Sequence, residues 1–232
     1  MNKLGYAIGR IRSLEAQMLS TSHFTRMAES KDFESSFFVL TETSYSEKID
    51  RLSNPFNFGE LVNIELDFIK SFLINMAPES EIIDVLLKKF SLPYLTLIDY
   101  IKMLEKTAKK NNVFLFKEYV EAFAALQTLL LNTETENLTM EEAAEKIKYK
   151  NYSNAVLKSL PSKNLFVLER EIDNHLIEIV QKAKYMAFGI EPLIGFLIGK
   201  EMETKNIKLI LTGKLLGLET EEIKKRLRKA YV

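Results

Sequence analysis

Apolar residues recur every three or four positions along almost the whole chain, as in Leu61, Ile64, Phe68 and Phe72 and again in Ile172, Leu176 and Val180. That spacing puts them on one face of a 3.6-residue helix, so the pattern predicts helix after helix. No run alternates apolar and polar residues as a half-buried strand does. The expected fold class is therefore all-α, with helices near 3–20, 22–29, 32–43, 45–53, 57–76, 79–91, 94–110, 114–132, 140–148, 152–160, 163–188, 191–216 and 219–230. Ser44 with Glu47, and Thr139 with Glu142, have the spacing of a capping box, in which hydroxyl and carboxylate satisfy opposite orphan amides. Pro55, Pro78, Pro93, Pro161 and Pro192 stand where helices begin or bend, because proline lacks an amide and is tolerated in a first turn.

The polar run at 132–137, Asn-Thr-Glu-Thr-Glu-Asn, reads as a linker between periodic segments. It suggests a first unit over 1–133 and a second over 134–232. The halves resemble each other in order. Lys31-Asp32-Phe33 with Phe37-Phe38 parallels Lys150-Asn151-Tyr152 with Val156-Leu157, and Glu65-Leu66-Asp67 parallels Glu171-Ile172-Asp173. Leu95, Leu97, Ile98 and Lys102 parallel Ile207, Leu209, Ile210 and Lys214. Two related multi-helix units packed side by side are expected from such a duplication.

Lys plus Arg and Asp plus Glu both total 32, so no overall field draws the protein to nucleic acid. Cysteine is absent, which excludes disulfides, thiolate zinc sites and cysteine nucleophiles, and fits a reducing compartment. The N-terminus meets Arg10 and Arg12 before any apolar core of a secretory signal develops. The most apolar stretch, 192–199, is far shorter than the roughly 20 residues of a spanning helix. Any work at a membrane is expected to go through a partner.

No constellation points to catalysis. His23 and His175 are the only imidazoles, so a triad or proton relay has few possible members. Glu171, His175 and Glu178 share a helix face, but carboxylate-bridged metal bundles use an ExxH pair on each of two helices. The run from Gly195 to Lys200 is one residue short of a phosphate loop, and Glu201 replaces the Ser or Thr that would hold magnesium. Gly213-Lys214 lacks the earlier glycine. Gly195 and Gly199, one turn apart, fit a close helix-packing groove better. The last helix has Glu221 and Glu222 early and Lys224, Lys225, Arg226, Arg228 and Lys229 late, as the helix dipole favours. Its apolar stripe is Ile223, Leu227 and Tyr231, and Lys225, Arg226 and Arg228 are its candidate partner contacts. No catalytic, cofactor or metal residue is expected.

From residue 189 the chain contains GxEPL at Gly189, KExE at Lys200, Asn206-Ile207, the apolar run to Leu211, Gly213-Lys214, Gly217-Leu218 and a terminal RLRxAYV. This segment resembles the C-terminal signature of the C subunit of archaeal and bacterial V/A-type ATPases, the counterpart of the vacuolar d subunit. Residues 6–15, followed by Thr43-Ser44-Tyr45, are similar to that family's opening. The resemblance implies an all-helical, non-catalytic central-stalk component. It would seat on the proteolipid ring, receive the central shaft, and couple shaft rotation to H+ or Na+ transport. It would then be cytoplasmic, peripheral on the inner face of the membrane through the ATPase complex, without cofactor. Family members usually carry three related helical domains, whereas this chain has room for two. A shortened coupler shaped as an open or partial funnel is the expectation. The competing reading is a generic α-helical repeat scaffold that binds another protein outside the ATPase.

Overall fold

The computed structural model describes residues 3–54, 56–77, 79–91, 95–135, 139–148, 150–162 and 164–232. Among them every regular element is helical, as the 3.6-residue period requires. In chain order these are α1 (Lys3–Glu15), α2 (Thr21–Glu29), α3 (Phe33–Thr41), α4 (Ser46–Ile49), α5 (Phe58–Met76), α6 (Glu81–Ser91) and α7 (Leu97–Lys110). There follow α8 (Phe114–Glu134), α9 (Met140–Ile147), α10 (Ser153–Leu157), α11 (Leu165–Gln181), α12 (Glu191–Leu215) and α13 (Thr220–Arg226). Short 3-10 turns lie at Leu160–Ser162 and Lys182–Tyr185.

Starts are set locally by side chains that accept from otherwise orphaned amides. Asp32 accepts from the Ser35 amide at 2.8 Å, and Thr96 accepts from the Asp99 amide at 3.1 Å. Thr139 and Glu142 form the expected reciprocal box. Ser44 does not: its hydroxyl donates to the Gln17 carbonyl 3.1 Å away, and Tyr45 precedes α4 instead. A cap that the sequence did not advertise forms at α2, where the Ser20 amide donates to Nδ1 of His23 at 3.1 Å. Pro192 falls in the first turn of α12 and Pro161 in a 3-10 turn. Pro55, Pro78 and Pro93 lie outside the described residues.

Ends differ more from expectation, because tertiary contacts stop helices that periodicity would prolong. The first helix ends at Glu15 rather than near 20, and the Leu19 amide beyond it donates to Oε2 of Glu203 at 2.6 Å. The last helix ends at Arg226 rather than near 230. The side chain of Asn206 accepts from the Arg228 amide and donates to the Arg228 carbonyl, both at 3.0 Å. Those two bonds replace helical ones, and 227–232 runs on as a non-helical tail. The candidate linker is helical through Glu134, whereas Glu136 and Asn137 lie outside the described residues.

By its contacts the chain forms two compact units, Met1–Pro78 with Gly195–Val232, and Glu79–Ile194. The C-terminal segment thus folds with the N-terminal helices, whereas a cut near residue 133 would have separated them. The core of the first unit gathers Phe24, Met27, Leu40, Tyr45 and Leu61 with Ile207, Ile210, Leu211 and Ile223. Burying each such side chain contributes about 1.5–3 kcal/mol. In the second unit α8 packs on α7 and α11. There Phe123 meets Tyr100 edge-on at 5.9 Å and stacks on Tyr119 at 5.7 Å.

The end of α12 is a Schellman turn. The Leu218 amide bonds back to the Gly213 carbonyl and the Gly217 amide to that of Lys214, with Gly217 at φ +69°. That left-handed conformation suits glycine because it lacks a Cβ. Nothing lies within 4 Å of a Cβ added there, nor at Gly9 inside α1. The two sites therefore isolate backbone effects of opposite sign. Gly217→Ala is expected to lower unfolding free energy by about 1 kcal/mol, and Gly9→Ala to raise it by about 0.5–1 kcal/mol. Urea denaturation of both variants checks the pair.

Candidate functional site

Four polar residues of α12 are unusual in being buried: Lys200, Glu203, Thr204 and Asn206 are at most 4% exposed. A lysine or glutamate in that position survives only with a charged partner, because an isolated buried charge is strongly penalised. The pairs are present. Nζ of Lys200 lies 2.7 Å from Oε1 of Glu203, one turn along α12, and 2.7 Å from Oε1 of Glu65 on α5. Oε2 of Glu65 lies 2.8 Å from Nζ of Lys48. The Tyr45 hydroxyl donates to Oε1 of Glu203 at 2.8 Å, while the Leu19 amide occupies Oε2. Both ammonium groups sit over the Tyr45 ring, at 5.2 Å for Lys200 and 5.3 Å for Lys48. Two cations and two anions thus close a neutral network joining α12, α5, α4 and the segment after α1.

Electrostatics follow from that geometry. Burial pushes the Tyr45 phenol well above its usual value, and the carboxylates of Glu203 and Glu65 push it further. Burial alone would lower Lys200, but Glu203 and Glu65 more than offset this and hold it above its ordinary 10.5. For Glu65, burial would raise the carboxyl, yet Lys200 and Lys48 hold it below 4.5.

A second buried knot anchors the tail. The Tyr231 hydroxyl donates to Oε1 of Glu15 at 3.0 Å, and Arg12 pairs with Oε2 of the same carboxylate at 2.6 Å. Burial, followed by the Glu15 charge and hydrogen bond, raises the Tyr231 phenol. The ring lies against Gly199, where an added Cβ would stand 2.5 Å from its Cγ. The close neighbour of Gly199 is thus the tail. Gly195 is buried within α12. Gly213 makes room for Ile223 in the same way, with Cγ1 2.9 Å from an added Cβ. Nζ of Lys214 donates to the Ser30 carbonyl at 2.5 Å, placing a cation on the C-terminal end of α2.

The network forms one wall of a cleft of about 850 Å³ within the first unit. Its lining includes Lys48, Arg51, Glu65, Phe68, Phe196 and Lys200. The lysine that a phosphate-loop reading would need is therefore fully engaged by carboxylates. Among the described residues no group of three His, Cys, Asp or Glu gathers to hold a metal. His175 lies 3.9 Å from Glu178, and burial, its largest influence, lowers its imidazole. The candidate partner residues Lys225, Arg226 and Arg228 do not share one helical face, since α13 stops at Arg226 and Arg228 lies on the tail held by Asn206. Lys225 is exposed, and Arg226 stands 3.9 Å from Glu222. The sequence singles out Lys200 through the signature and the near-miss phosphate loop and Asn206 through the signature, and gives no sign that Lys48 joins the network. A Lys and a Glu three residues apart, directly after the apolar run 192–199, were the available signal.

These features define an all-helical protein whose buried polar groups are arranged to hold helices and tail together. More than half of the chain, residues 101–226, matches the model of the ATP synthase (C/AC39) subunit family, and the chain belongs to that family. It is 22% identical over 230 residues to the C subunit of the A-type ATP synthase of Methanocaldococcus jannaschii, covering 95% of this chain and 56% of the relative. It is 26% identical over 229 residues to the C subunit of the A-type ATP synthase of Pyrococcus horikoshii, covering 94% and 58%. A 68-residue stretch is 40% identical to the C subunit of the V-type sodium ATPase of Enterococcus hirae, covering 29% of this chain and 21% of the relative. The chain thus spans a little over half the length of the two archaeal relatives.

Removing one partner of a buried pair strands the other. Glu203→Ala leaves Lys200 with Glu65 alone and orphans the Tyr45 hydroxyl and the Leu19 amide. Its expected cost is about 3–5 kcal/mol in urea denaturation. Tyr45→Phe, which leaves both charges paired, should cost less, about 1–2 kcal/mol.

Stability should also depend on pH at both extremes. Tyr45 and Lys200 hold their protons more tightly in the fold, so their contribution is complete below the ordinary values of 10.0 and 10.5 and is lost as pH rises through the raised ones. Glu65, held low, contributes fully above 4.5 and loses its contribution as pH falls through its lowered value. The urea midpoint is expected to be level between about pH 7.5 and pH 9.5 and to fall on either side, the acid fall starting where the lowered His175 imidazole makes the fold lose ground as pH drops through its ordinary 6.5. Tyr45→Phe should make the alkaline fall shallower.

Proposed function

We propose that this chain is a non-catalytic central-stalk component of a rotary V/A-type ATPase, coupling the rotating shaft to the membrane proteolipid ring for ATP-linked H+ or Na+ transport. In this role it is peripheral on the cytoplasmic face of the membrane, held there through the complex. The observation that carries the reading is the use made of the family signature. Gly199, Lys200, Glu203, Asn206, Gly213 and Lys214 are each engaged in holding α12 to other elements, and none is presented as a reacting group. A part that transmits torque needs such cross-bracing, since a compliant part would absorb the twist.

The partners in this proposal are the shaft subunits and the proteolipid ring, both met by binding surfaces. Lys225 and Arg226 on α13, with Arg228 on the adjoining tail, offer a basic contact suited to an acidic partner surface. Close packing of the tail at Gly199 supports stiffness, and buried Gly195 is given the same role in this proposal.

Co-purification of the chain with ATPase shaft and ring subunits tests the reading. Recovery with unrelated proteins alone would overturn it. Reversal of Lys225, Arg226 and Arg228 to Glu is expected to weaken shaft or ring binding by about tenfold or more at low salt, with less effect at high salt. Unchanged affinity at low salt would remove these residues from the interface.

A further inference from the structure

At Leu19 and Ser20 the chain leaves the buried network and enters α2, and the two consecutive amides are met by different side chains. Oε2 of Glu203 accepts from Leu19 at 2.6 Å, and Nδ1 of His23 accepts from Ser20 at 3.1 Å. The second bond belongs to a capping box in which histidine stands at the third helical position, where Glu or Gln is usual. A backbone amide can only donate, so Nδ1 must offer its lone pair. The ring is therefore neutral in this arrangement, with its proton on Nε2. The Ser20 hydroxyl lies 2.9 Å from the same Nδ1 and 2.7 Å from the Ser22 hydroxyl. Unlike Gln, histidine changes charge between about pH 5 and pH 8.

Protonation at Nδ1 removes that acceptor and places a positive charge in the first turn of a helix, where the dipole disfavours it. The Ser20 hydroxyl can accept from the new N–H, but the Ser20 amide is still stranded. The buried residues of α2, Phe24, Met27 and Ala28, all follow His23, whereas Thr21 and Ser22 are exposed. Its first turn therefore relies on the cap. The charged groups of the elements packed on α2 are engaged elsewhere. Glu42, at the end of α3, is held by Arg26 through two bonds at 2.5 and 2.9 Å, while Asp32 and Glu34 start α3 and so adjoin the other end of α2. Lys224 of α13 pairs with Glu29 and Glu221, and Glu203 of α12 is taken by Leu19, Tyr45 and Lys200. The polar partners of the His23 ring among the described residues all belong to Ser20. Tyr45, Lys200 and Glu65 keep their charge states across the histidine range, the first two being held above their ordinary values and the third below. We infer that His23 is a proton-operated clasp: its neutral ring holds the start of α2, and protonation in mild acid releases that turn while the adjoining buried network stays closed. The clasp is independent of the coupling role.

Native-state hydrogen exchange of the full chain, corrected for the intrinsic pH dependence of amide exchange, reads the clasp directly. The amides of residues 23 and 24 both bond to the Ser20 carbonyl. Their protection is expected to fall about fivefold or more between about pH 7.5 and pH 5.5, as loss of a cap implies. His23→Gln, which supplies an acceptor that does not titrate, should remove this pH response. His23→Ala should show the lowered protection already at neutral pH. His175→Gln, which removes the other imidazole, should leave the fall in place, and in that variant the Leu19 amide, held by Glu203, should keep its protection. Protection at 23 and 24 that does not change with pH overturns the inference, as does the same fall in His23→Gln or parent-like protection of His23→Ala at neutral pH. Disappearance of the fall in His175→Gln overturns it by assigning the acid response to the second unit. A matching loss at Leu19 overturns it by showing that the network opens too.

Discussion

The burial of Lys200 between Glu65 and Glu203 is the constraint on which the first unit depends. A lysine at 4% exposure is tolerable only if carboxylates meet it on both sides, and those come from α5 and from its own helix. Once Glu203 is present, its second oxygen needs a donor, and the Leu19 amide provides one by leaving helical geometry. Once Glu65 is present, Lys48 compensates its other oxygen. Charge satisfaction therefore propagates outward from one ammonium group and sets where α1 ends, where α4 sits and how α12 is oriented. Such pairs add less to stability than their number suggests, because desolvation offsets much of the attraction. Their effect is specificity: an alternative packing of these helices would leave charges stranded.

The tail extends the same logic. Asn206 satisfies both backbone groups of Arg228, Gly199 gives the Tyr231 ring a place against α12, and Glu15 accepts the phenol hydroxyl. Residues from the two chain termini thus close on the same helix. For a part proposed to pass torque between shaft and ring, such closure matters because every loose segment would be a place to dissipate twist.

The family signature acquires physical content from this structure. Read singly, its glycines and lysines suggest phosphate chemistry. Placed in the fold, Gly199 and Gly213 are positions where a neighbouring side chain needs the space of a Cβ, Lys200 is neutralised by carboxylates, and Lys214 faces the carbonyl end of α2. The motif specifies how one long helix binds its neighbours.

Much of the fold was legible because its cause is local. The three- and four-residue spacing of Leu61, Ile64, Phe68 and Phe72 is a property of a single segment, and so is the Thr139–Glu142 cap. The sequence by itself determined helix content, most helix starts and the family, since each rests on contacts between residues a few positions apart or on a contiguous signature. Tertiary structure alone decided the rest. It ended α1 early, kept the last six residues out of a helix, engaged Ser44 with Gln17 and turned Lys200 inward. Residues 195–232 joined the N-terminal helices, which the polar run at 132–137 did not foretell. The reason is shared: a buried charge or an orphaned backbone group finds its partner through space, as far as 216 positions away in the chain between Glu15 and Tyr231, and no periodicity records that distance.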